Sequence, residues 1–250
     1  MNRELKRPLA FVPTMGALHA GHESLIKIAR SRCDEVIVSV FVNPLQFENK
    51  EDLANYPRTP ELDIKKAESA GATYVWLPTF EEIYPTDPQI IPAGPIGNLY
   101  EGVHRFGHFD GVLTVVKRLF ELVMPDIAIF GEKDFQQLFL IKKMVKEFEL
   151  PIEIVAAPII RDKDGLALSS RNIRLSEDGR RAALVISKAL REGGHNKDLV
   201  KMILASESKF TLDYAEVIDT ESFEIADTAT TKPRTIIAGW VEGVRLLDNA

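Results

Sequence analysis

The string His19-Ala20-Gly21-His22 sets two imidazoles three residues apart, where an apolar run gives way to helical spacing. In a first helical turn such a pair can share one face, beside unpaired backbone N–H groups and the positive helix end, which together make an anion site. Gly21 removes a side chain where a flat nucleotide would approach the backbone. The same residues also suit two solvated histidines near a helix cap, or a metal site of His19, His22 and Glu23, although no further His-rich cluster supplies ligands.

Three more stretches carry usable groups. In FGEKDFQQL, Gly131 permits a turn, Lys133 offers a cation and Asp134 can cap a helix holding Gln136 and Gln137; a solvated lysine is the alternative. In DGLALSSRN, Ser169, Ser170 and Arg171 bring two hydroxyls and a guanidinium fork suited to polyphosphate oxygens, or else form a polar loop between domains. In SVFVNPLQF, Asn43 and Gln46 can both donate to and accept from hydroxyl and carboxylate groups, while Asn43-Pro44 can equally serve only to open a turn. No GxxxxGK[ST] phosphate loop and no GxGxxG fingerprint occurs, so neither the usual NTPase cradle nor the usual dinucleotide turn is present. Asp162 to Gly165 starts like a calcium loop, lacks the remaining ligands and reads as a turn. Cys33 reads as a small buried hydrophobe.

Positioning these groups requires a sheet. Short β-branched runs predict strands over 9–12, 36–42, 73–77, 127–130 and 152–156, with helical periodicity between them. That alternation implies βαβ units and a parallel sheet covered on both faces, whose carboxyl edge is where ligands bind. The histidine pair and Lys133 each follow a strand at that edge. Val112, Val115, Val116, Leu119, Phe120 and Val123 predict a helix over 111–123, and Thr59-Pro60-Glu61 opens another that Gly71 stops. From 78 to 97, five prolines break any regular element. Beyond Pro158, Ser176 caps a helix reaching about Glu192 that Gly193 and Gly194 end; a second helix spans 197–208, and strands cover 212–218, 234–241 and 244–247. The expected division is a domain over 1–158 and a smaller α+β domain over 159–250, in keeping with the length.

Composition narrows the function classes. With 31 basic and 37 acidic residues the formal charge is −6, which argues against sequence-independent binding of nucleic acid. Any phosphate must therefore be gripped locally. The lone cysteine makes no internal disulfide, no apolar run approaches the ~18 residues of a membrane span, and the basic start from Met1 to Arg7 does not read as a signal peptide. These features lead us to expect a soluble, cytoplasmic chain.

PTMGALHAGH, VSVFVNPLQF, YPRTPELD, GHFDGV, FGEKDFQQL and DGLALSSRN, in that order, resemble the pantothenate synthetase (pantoate beta-alanine ligase) family, closely over about 8–176 and loosely beyond. The resemblance implies a Rossmann-like, doubly wound parallel sheet of the nucleotidylyltransferase superfamily, with HAGH as its HIGH-type element and LSSR as its mobile KMSKS-like loop, followed by a C-terminal lid domain. It implies condensation of (R)-pantoate with beta-alanine through pantoyl adenylate, using ATP as substrate with Mg²⁺ and no prosthetic group, in a homodimer. By position, Met15, Gly16, Ala17, Leu18, His19, Ala20, Gly21, His22, Gly131, Glu132, Lys133, Asp134, Ile160, Leu168, Ser169, Ser170 and Arg171 would contact ATP. Gln46, Gln137 and Asn43 would hold pantoate, with Gln46 also near beta-alanine; His22 would be the proton donor, supported by His19 and Lys133. Asp63, after YPRTP, is an acidic candidate for Mg²⁺. The chain departs from the family's usual pattern at Phe106, where proline is common, at Leu45, where methionine is common, and in a shorter stretch around Glu192 to Asp198. The rivals are another HxGH adenylyl- or cytidylyltransferase acting on a phosphate acceptor, and a nucleotide-binding regulatory protein without turnover.

Overall fold

The computed structural model describes residues 6–48 and 50–250; the first five residues of the basic start lie outside them. Contacts group Met1–Glu132 with Gln136–Pro158 as one compact unit and Lys133–Phe135 with Ile159–Ala250 as another.

In the first unit the strands are β1 (Leu9–Thr14), β2 (Glu35–Val40), β3 (Tyr74–Trp76), β4 (Ile127–Gly131) and β5 (Glu153–Ala157), all parallel in the order β3-β2-β1-β4-β5. Helices α1 (Ala20–Arg32), α2 (Lys50–Ala54), α3 (Pro60–Ala70), α4 (Phe80–Ile83), α5 (Glu101–His104), α6 (His108–Val123) and α7 (Phe135–Glu147) connect them. Alternate strand residues serve opposite faces. Ala10, Val12, Val36, Val38, Ile127 and Ile129 bury Ile26 and Ala29 of α1 and Ala67 and Ala70 of α3. Phe11 and Phe130 instead meet Phe120 of α6 edge-on, at centroid distances of 6.4 and 6.3 Å. The winding direction reverses between β1 and β4, and the chain leaves both at the same carboxyl edge.

The predicted elements are present with shifted ends. β1 runs on to Thr14 because Thr14 Oγ1 donates to Ser39 O and Thr14 O accepts from Phe41 N, which also ends β2 early, at Val40. The proline-rich crossing is not wholly irregular. Thr79 and Glu82 form a reciprocal cap that secures one helical turn, α4, and a 3₁₀ turn covers Pro95–Asn98.

In the second unit, α8 (Glu177–Gly193) and α9 (Lys197–Ala205) cover the antiparallel sheet of β6 (Thr211–Asp219), β7 (Pro233–Val241) and β8 (Val244–Asn249). Ala183, Ile186, Leu190, Val200 and Leu204 bury against Ile237, Val241 and Leu246. Arg161 makes a bidentate pair with the buried Asp248 of β8, which ties residues 160–168 to the sheet. No helix among the described residues is long and apolar enough to cross a membrane.

Candidate active site

The turn from β1 into α1 is built twice over. His19 is the N-cap of α1: its Nδ1 accepts from Gly21 N at 3.1 Å, and His22 Nδ1 accepts from His19 N at 3.3 Å. This is a capping box made of imidazoles. Because both Nδ1 atoms accept, the neutral rings carry their proton on Nε2, so each can offer an N–H donor away from the helix backbone. The ring centroids lie 4.1 Å apart. The pair is thus both cap and donor set, and no group of three His, Cys, Asp or Glu side chains suited to a metal assembles here or elsewhere among the described residues.

Before the histidines, Gly16 and Ala17 take left-handed backbone angles, φ +88° and +51°. A side chain at Gly16 would sit 3.0 Å from both Asp63 Oδ2 and Val40, so both conformation and space require glycine. Asp63 stabilises this unusual turn. Only 1% exposed, it accepts from Ala17 N at 3.0 Å, Leu18 N at 2.7 Å and Thr59 Oγ1 at 3.2 Å. The oxygens of this magnesium candidate thus hold the loop through two backbone N–H groups and one hydroxyl.

The amides form a relay. Asn43, 1% exposed, accepts at Oδ1 from Leu45 N and Tyr84 Oη, both at 3.3 Å, and donates from Nδ2 to Gly111 O at 3.0 Å and Gln46 Oε1 at 3.4 Å. With both ends engaged, Asn43 orients Gln46, the neighbouring candidate for holding substrate. Gln46 Nε2 donates to Met15 Sδ at 2.8 Å, which brings two expected site residues together. His108 Nδ1 donates to Gln46 O at 2.9 Å, and Gly111 is forced, since a Cβ there would lie 2.2 Å from Leu45 O. Desolvation pushes the Tyr84 phenol well above its ordinary pKa, so it stays a donor. Gln137 is half-buried on α7, whereas its neighbour Gln136 is buried, donating to Ile96 O and Leu99 O and accepting from Glu101 N. Phe106, the residue that departs from the family pattern, is 78% exposed.

In the second unit Lys133, Ser169, Arg171 and Asn172 line one pocket with Arg245 and Asp248. Ile160 and Leu168 are partners across a hairpin, Leu168 N donating to Ile160 O at 2.9 Å, and the Asp162–Gly165 stretch forms its turn. Ser169 caps the 3₁₀ helix Ser170–Arg174 by accepting from Arg171 N, so the expected loop is locally helical. Asp134 ends a further 3₁₀ turn, Glu132–Asp134, and directly precedes α7, which holds Gln136 and Gln137. Sequence reasoning placed Gln136 and Gly111 on helices without giving either a partner, and it passed over Tyr84 and Asn249; a tyrosine amid prolines was the available signal for Tyr84.

The family model described as pantoate-beta-alanine ligase matches residues 1–250. A pantothenate synthetase from Acidothermus cellulolyticus is 46% identical, over 98% of this chain and 86% of its own length, and a pantoate–beta-alanine ligase from Schizosaccharomyces pombe is 42% identical, over 96% and 90%. The crystal structure of pantothenate synthetase from Thermus thermophilus superposes with a TM-score of 0.91 at 40% identity, covering 98% of this chain and 93% of that one. A Francisella tularensis pantoate-beta-alanine ligase, complexed with beta-gamma ATP and beta-alanine, gives 0.81 at 38% identity, covering 97% and 88%.

Proposed function

The chain belongs to the pantoate-beta-alanine ligase family, and from that premise we propose that it condenses (R)-pantoate with beta-alanine in two steps. In the first, a pantoate carboxylate oxygen bonds to the α-phosphorus of ATP while the bond to the bridging oxygen of the β-phosphate breaks, giving pantoyl adenylate and pyrophosphate. In the second, the beta-alanine amine bonds to the acyl carbon, AMP leaves with the bridging oxygen, and the nitrogen loses a proton. No covalent bond to the protein is needed, because the mixed anhydride is already activated and positioning supplies much of the remaining rate.

The chain's own residues then divide the work. His19 and His22 offer Nε2–H donors to phosphate oxygens, with His22 as the proton donor. Lys133 and Arg171 supply positive charge that a chain of net charge −6 must concentrate locally to bring a carboxylate to a polyanion, and Ser169 and Ser170 add hydroxyl donors. Met15 to Leu18, Ala20, Gly21, Gly131, Glu132, Asp134, Ile160 and Leu168 complete the nucleotide contacts, and Gln46 and Gln137 hold pantoate. Mg²⁺ accompanies the nucleotide in this reading. Asp63 is its acidic candidate ligand, and no step of the protein is routed through the ion. The C-terminal domain, 159–250, acts as a lid, and the enzyme is a cytoplasmic homodimer.

The observation that carries this reading is the family match along all of residues 1–250. The test is pyrophosphate release assayed with ATP alone, with pantoate added, and with beta-alanine added. Release should require both ATP and pantoate, and AMP should be freed with pantothenate only when the amine is present. Release driven by a phosphate acceptor in place of pantoate, or nucleotide binding without turnover, refutes it.

A further inference from the structure

We propose that Asn249 is a positioning residue that sets the backbone of Lys133. The inference rests on the reading of Lys133 as a catalytic group. Asn249 lies at the end of β8, 3% exposed, and its Nδ2 donates to Lys133 O at 2.9 Å across 116 residues of sequence. Its Oδ1 accepts from Arg234 at 2.9 Å. A guanidinium can only donate, so the amide oxygen must face Arg234 and the NH₂ must face the lysine carbonyl. Arg234 also lies 4.4 Å over the ring of Phe135, and Phe135 stacks on the buried Phe223 at 6.2 Å and 16°. The Lys133–Phe135 segment is therefore gripped at both ends by the C-terminal sheet and its turns, which is why it groups with that unit. One planar group supplies the donor and the acceptor in fixed orientation, whereas an ionised carboxylate there would have no hydrogen to give the lysine carbonyl.

The experiment uses the full chain and single-turnover pyrophosphate release with ATP and pantoate. Asn249→Asp keeps an acceptor for Arg234 but turns an oxygen toward the Lys133 carbonyl. Its melting temperature should stay within a few degrees of wild type while release slows about tenfold or more, the scale for displacing a catalytic group by a fraction of an ångström, and the KM for ATP should change less than about threefold. Asn249→Ser, which removes both bonds without adding charge, should show the same loss of rate. In a Lys133→Ala background, adding Asn249→Asp should change the residual rate less than about twofold. Wild-type rate in Asn249→Asp and Asn249→Ser, or an equal slowing with and without Lys133, overturns the proposal. Wild-type release by Lys133→Ala alone overturns instead the reading on which it rests.

Discussion

The histidine turn and the lysine turn follow adjacent parallel strands, yet they are held in opposite ways. His19 and His22 cap each other's helix within four residues, whereas the carbonyl of Lys133 is held by a side chain 116 positions later. The helix caps repeat the contrast. α1 closes its own N-terminus, while α8 is capped by Ser176, whose hydroxyl and N–H both bond Glu242, 66 residues away. Donors that must point outward at a helix end can be aimed by the helix itself. A flexible cation within a 3₁₀ turn has no such local frame, and its backbone is held by remote structure.

The contrast would break first at Asp63, the long-range element within the locally held region. Asp63→Ala leaves the N–H groups of Ala17 and Leu18 without their acceptor, at a cost of about 4 kcal/mol, read as a lower urea midpoint. A loss under about 1 kcal/mol would mean the left-handed turn supports itself. Next, His22→Ala removes the proposed phosphate donor together with half of the capping box, and should slow pyrophosphate release by ~10² or more. Near wild-type release would show that the imidazole serves only as a cap.

How much was legible follows the same divide. HAGH, Thr59-Pro60 and the apolar periodicity of 111–123 are local patterns, and the corresponding turn and helices are where spacing places them. The relay around Asn43 was half legible: NPLQF marks the amides, but nothing in it names Tyr84, which comes from the proline-rich crossing, or His108 and Gly111 from α6. Asp63 stood out for its charge as a magnesium candidate, but its structural part was not legible, because sequence shows a carboxylate and not the two backbone N–H groups aimed at it. Asn249 gave no local signal, since a clamp between residues 133 and 249 exists only after β8 has paired with β7.

Two smaller effects sharpen the comparison. Tyr84→Phe deletes one donor to Asn43, leaving Leu45 N as the other, and should cost about 1 kcal/mol, with a pantoate KM raised about fivefold and an ATP KM unchanged. An equal rise in both would show that the relay is not specific to the amide pocket. The smallest concerns acid. The Ser176 hydroxyl and N–H hold the Glu242 carboxyl below its ordinary value, so its contribution to folding is present above about pH 4.5 and fades as pH falls through the lower folded value. Melting temperatures between about pH 6 and about pH 3 should therefore fall slightly more steeply for wild type than for Glu242→Gln. Parallel curves would remove the distant carboxylate from the account of α8.

The clamp on Lys133 also orders events in time. A ribosome releases the lysine turn more than a hundred residues before the amide that grips it, so during synthesis the Lys133 carbonyl exists without this partner. A product cut short between positions 158 and 249 would carry the imidazole cap and all five parallel strands, yet would lack the amide that holds the Lys133 carbonyl.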